Sequence, residues 1–206
     1  MKTRITRLTT LTLALTALGL LSLAEVATAQ DLHPSRRPSP MGMARTLLDD
    51  GTYVRVVYSR PYERGRDNIF GTEESGALVP FQQVWRTGAN EATEITVTQD
   101  VKVAGKKLSA GTYSMFTTPA PDKWKIHFNS ALGLSGTARY NPETEEYEEG
   151  YLEENNVLTV GIEPETLDED EKVTQFTISF EDDDAGADMV LRWIRTEVRV
   201  PIQPAE

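Results

Sequence analysis

The chain has 206 residues, no cysteine, and 21 basic against 32 acidic residues. The missing thiols exclude a disulfide scaffold, a thiolate zinc site and lipid attachment through a cysteine. The negative field repels nucleic acid and anionic headgroups, so neither is expected as a partner.

At the amino end, Lys2, Arg4 and Arg7 precede an apolar run over residues 8–24 that exits near Ala27, Thr28 and Ala29. That layout predicts a secretory signal peptide over residues 1–29. Cleavage leaves about 177 residues with a charge near −13, once the basic residues of the leader and Glu25 are removed. A chain of this size suits one domain. No later run is long and apolar enough to span a bilayer. The protein is therefore expected in the periplasm or outside the cell, with no membrane span after cleavage.

Residues 30–49 start as a Pro-rich linker containing His33, Pro34, Pro38 and Pro40, followed by an expected short helical turn over 42–49. From residue 50 to 203 the pattern has period two, which marks half-buried strands. Val54, Val56 and Tyr58 share a face; Ile95 and Val97 oppose Glu94 and Thr96; Trp124, Ile126 and Phe128 oppose Lys125, His127 and Asn129. Phe176, Ile178 and Phe180 form a further row, as do Met189, Leu191 and Trp193. Residues 112–117 and 157–162 are apolar on both faces and read as central strands. Residues 78–83 suggest another helical turn, and residues 143–154, with seven glutamates, a solvated loop. About eight strands at short spacing predict an all-β antiparallel β-sandwich, jelly-roll or immunoglobulin-like, with little helix.

Chemistry-bearing motifs are few. There is no HExxH, Walker loop or GxGxxG, and no cofactor or metal is expected. His33 lies in the linker and His127 reads as a solvent-facing strand residue, so a histidine triad lacks partners. The acidic run Asp182, Asp184, Asp188 around Gly186 reads as a hairpin tip in preference to a calcium loop. Glu91 and Glu94 differ in parity, so a regular strand points them to opposite faces, against a paired-carboxylate glycosidase.

The richest polar set is Arg60, Tyr62, Arg64, Arg66, Asp67, Trp85, Arg86, Thr87, Asn90, Glu91 and Thr93. Guanidinium forks match carboxylates and phosphates, and a tryptophan face stacks on sugars. Glu91 shares parity with Thr93 and Ile95, so it is expected at the interior or its rim, paired with Arg86 or Arg60. The same residue types would serve a network that pins loops to a sheet, with Trp85 in the core.

The strings YSRPYERGRDNIFG (58–71) and LVPFQQVWRTGANEATEI (78–95) are distinctive, with VKVAGKKLSAGTYSMFTTP (101–119), WKIHFN (124–129), FTISF and LRWIRTEVRVPI beyond them. The chain resembles, over residues 39–202, the family called Domain of Unknown Function 2911. The resemblance implies an exported bacterial protein with a compact β domain and no assigned activity. An insertion over residues 72–77, the glutamate-rich segment, and Leu134 where the family pattern leads one to expect tryptophan are departures in the middle loops. Three functions follow as expectations: a non-catalytic envelope or extracellular module for an anionic or saccharide ligand, a carboxylate-dependent hydrolase using Glu91 or Asp67, and a structural or self-associating domain.

Overall fold

A computed structural model describes His33, residues 36–66 and residues 68–205. The expected signal peptide and Asp67 lie outside the described residues. The chain forms β1 (Met41–Leu47), β2 (Tyr53–Ser59), β3 (Phe70–Gly71), β4 (Val79–Pro80), β5 (Thr93–Val97), β6 (Val101–Val103), β7 (Lys106–Leu108) and β8 (Gly111–Thr118). It continues through β9 (Trp124–Asn129), β10 (Ala138–Asn141), β11 (Glu146–Glu149), β12 (Asn156–Ile162), β13 (Glu165–Thr166), β14 (Val173–Asp183), β15 (Gly186–Ile194) and β16 (Thr196–Pro204).

Two sheets carry the architecture. The first runs β1-β2-β5-β8-β9-β12; the second runs β14-β15-β16-β6-β7, with β13 beside β16. All pairings in both are antiparallel. Register keeps the apolar rows on one face of each sheet: Val56 faces Ile95, Ile178 faces Leu191, and Leu191 faces Val198. The rows meet in a core of Val54, Ile95, Met115, Ile126, Phe128, Met189, Val200 and Ile202, each fully shielded from solvent. This is the all-β sandwich that alternation predicts.

At its centre lies an aromatic cluster. Trp85 and Trp193 stack with centroids 5.9 Å apart, Phe176 approaches Trp85 edge-on at 5.1 Å, and Phe70 approaches Trp124 at 4.9 Å. Trp85 is 9% exposed, so it belongs to the interior. Its indole Nε1 donates to Gly88 O at 2.9 Å, which satisfies the one polar atom that burial would penalise.

Several local expectations are corrected. The helical turn expected over residues 42–49 is the edge strand β1, with Gly42, Ala44 and Thr46 set opposite Tyr58, Val56 and Val54. Small residues there accommodate bulky ones on β2, and so short a run gains little by closing a helical turn. Its other face, Met41, Met43 and Leu47, is 50%, 60% and 67% exposed, which blurred the alternation. Residues 78–83 hold β4 and a bend, with no helix. Residues 143–154 are not a plain loop: β10 and β11 pair as a hairpin with Tyr140 opposite Tyr147. The run 157–162 belongs to β12, an edge strand of the first sheet and not a central one, and Val157 is accordingly exposed. The acidic segment at 182–188 is a hairpin tip, with Asp183 paired to Gly186 across a two-residue turn.

Charge is concentrated on the outer face of the second sheet. The Glu197 side chain, 3% exposed, accepts from Arg192 Nε through Oε2 and from Arg199 Nε through Oε1. Glu181 bridges the same two arginines at 2.8 and 2.7 Å, and Asp188 adds a contact to Arg199 at 3.5 Å. Hydrogen bonding to Glu181 comes first among the interactions that hold Arg199 above its ordinary value. The Arg199 interaction is likewise first in holding Glu181 below the usual carboxylate range.

Candidate functional site

The polar set singled out in the sequence divides into two groups once folded. Arg60, Arg64 and Arg66 act as pins. Arg60 donates to Phe176 O at 3.3 Å and Thr177 Oγ1 at 2.9 Å, Arg64 to Pro38 O at 3.0 Å, and Arg66 to Tyr62 O at 3.0 Å. Tyr62 bridges to Gln175, and Glu63 N donates to Thr174 O, so the chain leaving β2 crosses onto β14 and ties the sheets together. These guanidinium groups are thus engaged with the protein's own oxygens.

The WRTGANE loop is clamped to the first sheet. Trp85 N and O exchange hydrogen bonds with Thr117 at 2.7 and 2.9 Å. Thr87 and Asn90 sit at φ 55° and 58°. That region is costly for a β-branched residue, and the loop holds it by dense bonding: Thr93 Oγ1 donates to Thr87 O at 2.7 Å, and Asn90 Nδ2 donates to Ser39 O and Ser59 Oγ at 3.1 Å each. A Cβ on Gly88 would lie 2.8 Å from Ser59 O, so glycine permits the loop to lie flat on β2.

Glu91 does not pair with Arg60 or Arg86. The loop backbone turns before β5 begins, which breaks the parity expected for Glu91. Arg37, from the segment ahead of β1, donates from Nη1 to both Glu91 oxygens at 2.5 and 2.6 Å. The Arg37 side chain is 8% exposed while that of Glu91 is 46% exposed, so the cation is the buried partner and the carboxylate reaches outward. Residue 37 lay in the linker by sequence, where nothing but its charge marked it.

The same departure from regular strand geometry brings Glu91 and Glu94 to one cleft. This cleft, about 440 Å³, is bordered by Met41, Val57, Ser59, Glu91, Ala92, Glu94, Leu134, Ser135, Tyr140 and Tyr147. The expectation that the two carboxylates diverge is therefore corrected. Glu91 bridges to Ser135, and Glu94 Oε1 accepts from Gly133 N at 3.3 Å. Tyr140 and Tyr147, with centroids 5.5 Å apart and rings inclined at 60°, come from the β10–β11 hairpin. Sequence reasoning missed both. The available signal was two tyrosines symmetrically placed about the turn at residues 142–145 in an otherwise charged stretch. Leu134 is 1% exposed and packs with Ala92, Ala131 and Phe116 in a small second core under the cleft.

His127 is not solvent-facing. It is 4% exposed, because the chain over residues 151–156 covers the outer face of β9. Thr118 Oγ1 lies 2.9 Å from Nε2 and Thr159 Oγ1 3.0 Å from Nδ1. Asn156 joins this site to the cover by donating to Tyr151 Oη at 2.9 Å. Burial is the main influence pushing the imidazole below its ordinary 6.5; Lys125 acts in the same direction, and Glu153 opposes them. The unfolded chain then protonates before the folded one. Stability is fully present above about pH 6.5 and falls as pH drops from there toward the depressed folded value, below which no more is lost. Urea melts between pH 7.5 and 5 should show this loss in the wild type, and His127→Gln should flatten that part of the profile.

Among the described residues, no group of three or more His, Asp or Glu is placed to hold a metal ion, and no helix is long and apolar enough to cross a membrane. No curated protein and no solved structure matches the chain. The family model described as "Protein of unknown function (DUF2911)" matches residues 39–202, from the residue before Pro40 to near the end of β16. That span takes in the crossing after β2, the clamped WRTGANE loop, the cleft and both sheets, and the chain therefore belongs to the DUF2911 family.

Proposed function

We propose that the protein is an exported, non-catalytic binding module whose ligand is a saccharide held in the cleft beside the β10–β11 hairpin. The observation that supports this most is the joint placement of Tyr140 and Tyr147 with Glu91, Glu94, Ser59 and Ser135 around one opening. Aromatic faces suit the C–H faces of a sugar ring, and carboxylates and hydroxyls accept or donate to its hydroxyl groups. Tyr140 and Tyr147 are 49% and 59% exposed, so they present apolar surface to an incoming ring. An anionic ligand fits this opening less well, because two carboxylates border it and Arg60, Arg64 and Arg66 are bonded elsewhere. Saturation-transfer NMR of residues 30–206 against neutral and acidic envelope oligosaccharides tests the proposal. Transfer to a saccharide, with affinity reduced at least about tenfold by Tyr147→Ala at unchanged melting temperature, is the expected result. No transfer from any saccharide, or equal affinity in the Tyr140→Ala/Tyr147→Ala variant, overturns it.

The hydrolase reading gains one observation, that Glu91 and Glu94 share the cleft. Both Glu91 oxygens are engaged by Arg37, an arrangement suited to positioning and poorly suited to proton transfer. Turnover of a bound oligosaccharide that disappears in Glu94→Gln while binding persists would favour the hydrolase over the binding module.

A further inference from the structure

Arg86 stands apart from the rest of its loop. Trp85, Thr87, Asn90, Glu91 and Thr93 each have the partners described above, and Arg86 supplies its carbonyl to Thr93 N at 3.1 Å. Its guanidinium finds no such match: Nε is shielded from solvent and has no acceptor among the described residues. The carboxylate expected to receive it, Glu91, is held by Arg37. The guanidinium lies against Gly136, where a Cβ would come within 3.3 Å of Nη1. Gly136 takes φ 66° and donates its N–H to Asn90 O at 3.0 Å, so the glycine backbone is fixed and its missing Cβ leaves room for the guanidinium itself.

The chemistry of this arrangement is restrictive. A guanidinium does not shed its proton in proteins, so burial cannot be relieved by neutralisation. Burial acts on Arg86 in that direction, pushing it below its ordinary value without a charged partner to restore it. Leaving a buried N–H of a cation without an acceptor is among the more costly polar defects. An oxyanion at the Nη groups, which are not sealed as Nε is, supplies the missing countercharge, because two oxygens on one centre match the parallel N–H groups of the fork.

We propose that Arg86, packed over Gly136 with no carboxylate partner, is an anchoring site for a small oxyanion, a carboxylate or phosphate, distinct from the saccharide cleft. Two sources share that chemistry: a free inorganic anion, or the acid group of a uronate.

Thermal melts of residues 30–206 at constant ionic strength test it, comparing sodium sulfate, phosphate and glucuronate with sodium chloride. The melting temperature should rise by roughly 5 °C or more in at least one oxyanion at about a hundred times its Kd. The rise should vanish in Arg86→Gln and shrink in Arg86→Lys, which keeps the charge and loses the fork. A response to sulfate or phosphate identifies a free anion; a response to glucuronate and not to sulfate or phosphate identifies the sugar acid. Should Arg86→Gln fail to fold, the arginine Nε–H resonances of the wild type replace it, with one buried signal shifting on titration. Oxyanions no better than chloride in the wild type, an equal rise in Arg86→Gln, or an Nε–H spectrum unchanged by the anion overturns the site. None of these readouts involves Tyr140 or Tyr147, so they separate this proposal from the saccharide reading.

Discussion

Trp85→Ala should lower the unfolding free energy by about 3–5 kcal/mol, the range for truncating a large buried aromatic. Trp85 contacts Trp193 face-on and Phe70, Trp124 and Phe176 edge-on, so removing it opens a void that four rings border. These rings come from both sheets and from the segment between β2 and β4, which leaves little freedom to collapse into the gap. Urea denaturation measures the effect. Trp85→Phe separates the causes: it retains most of the ring contact and loses the Nε1 bond to Gly88 O, and should cost about 1 kcal/mol more than its lost area alone. A loss below about 1 kcal/mol for the alanine variant would mean that Trp85 is not part of the core.

Glu197→Gln should be the most damaging change on the outer face of the second sheet, at about 2 kcal/mol. Breaking a fully buried pair costs roughly 3–5 kcal/mol, because the surviving charge is left stranded. Here the loss is smaller, since Arg192 and Arg199 keep Glu181 and their side chains are 28% and 34% exposed. The amide can still accept one hydrogen bond but cannot balance two cations. Denaturation in dilute buffer and in about 1 M salt distinguishes the mechanisms, since screening weakens exposed pairs far more than buried ones. A deficit that persists in salt identifies Glu197 as a buried counter-ion, and one that vanishes there marks the network as a surface feature.

Rows such as Phe176-Ile178-Phe180 and Met189-Leu191-Trp193 made the sandwich legible, because period two survives wherever one face of a strand is buried and the other is wet. The signal failed where that contrast disappears. β1 has small residues inward and Met41, Met43 and Leu47 outward, so its pattern resembles neither a helix nor a half-buried strand. His127 alternated correctly, but the sheet's outer face is itself covered by residues 151–156, and alternation reports the face and not what lies over it. The candidate site was half legible. The WRTGANE string stands out in the sequence, whereas the partner of Glu91 is Arg37, 54 residues away, and no spacing rule encodes such a contact. Tyr140 and Tyr147 were concealed by glutamates whose charge argued for solvent, though hairpin pairing needs only that the side chains tolerate water.

The stem of that hairpin has a structural corollary. Gly150 N and Tyr151 N both donate to Thr137 O, at 3.0 and 2.8 Å, and a Cβ on Gly150 would lie 2.7 Å from Leu134 Cδ2 and 2.8 Å from the Ala138 carbonyl carbon. The tyrosine-bearing arm is therefore soldered to the sandwich at its base, while its tip projects free of the two main sheets. Length and composition over residues 142–145 can therefore change without disturbing either layer, so the scaffold can carry a longer, shorter or differently surfaced finger over an unaltered floor.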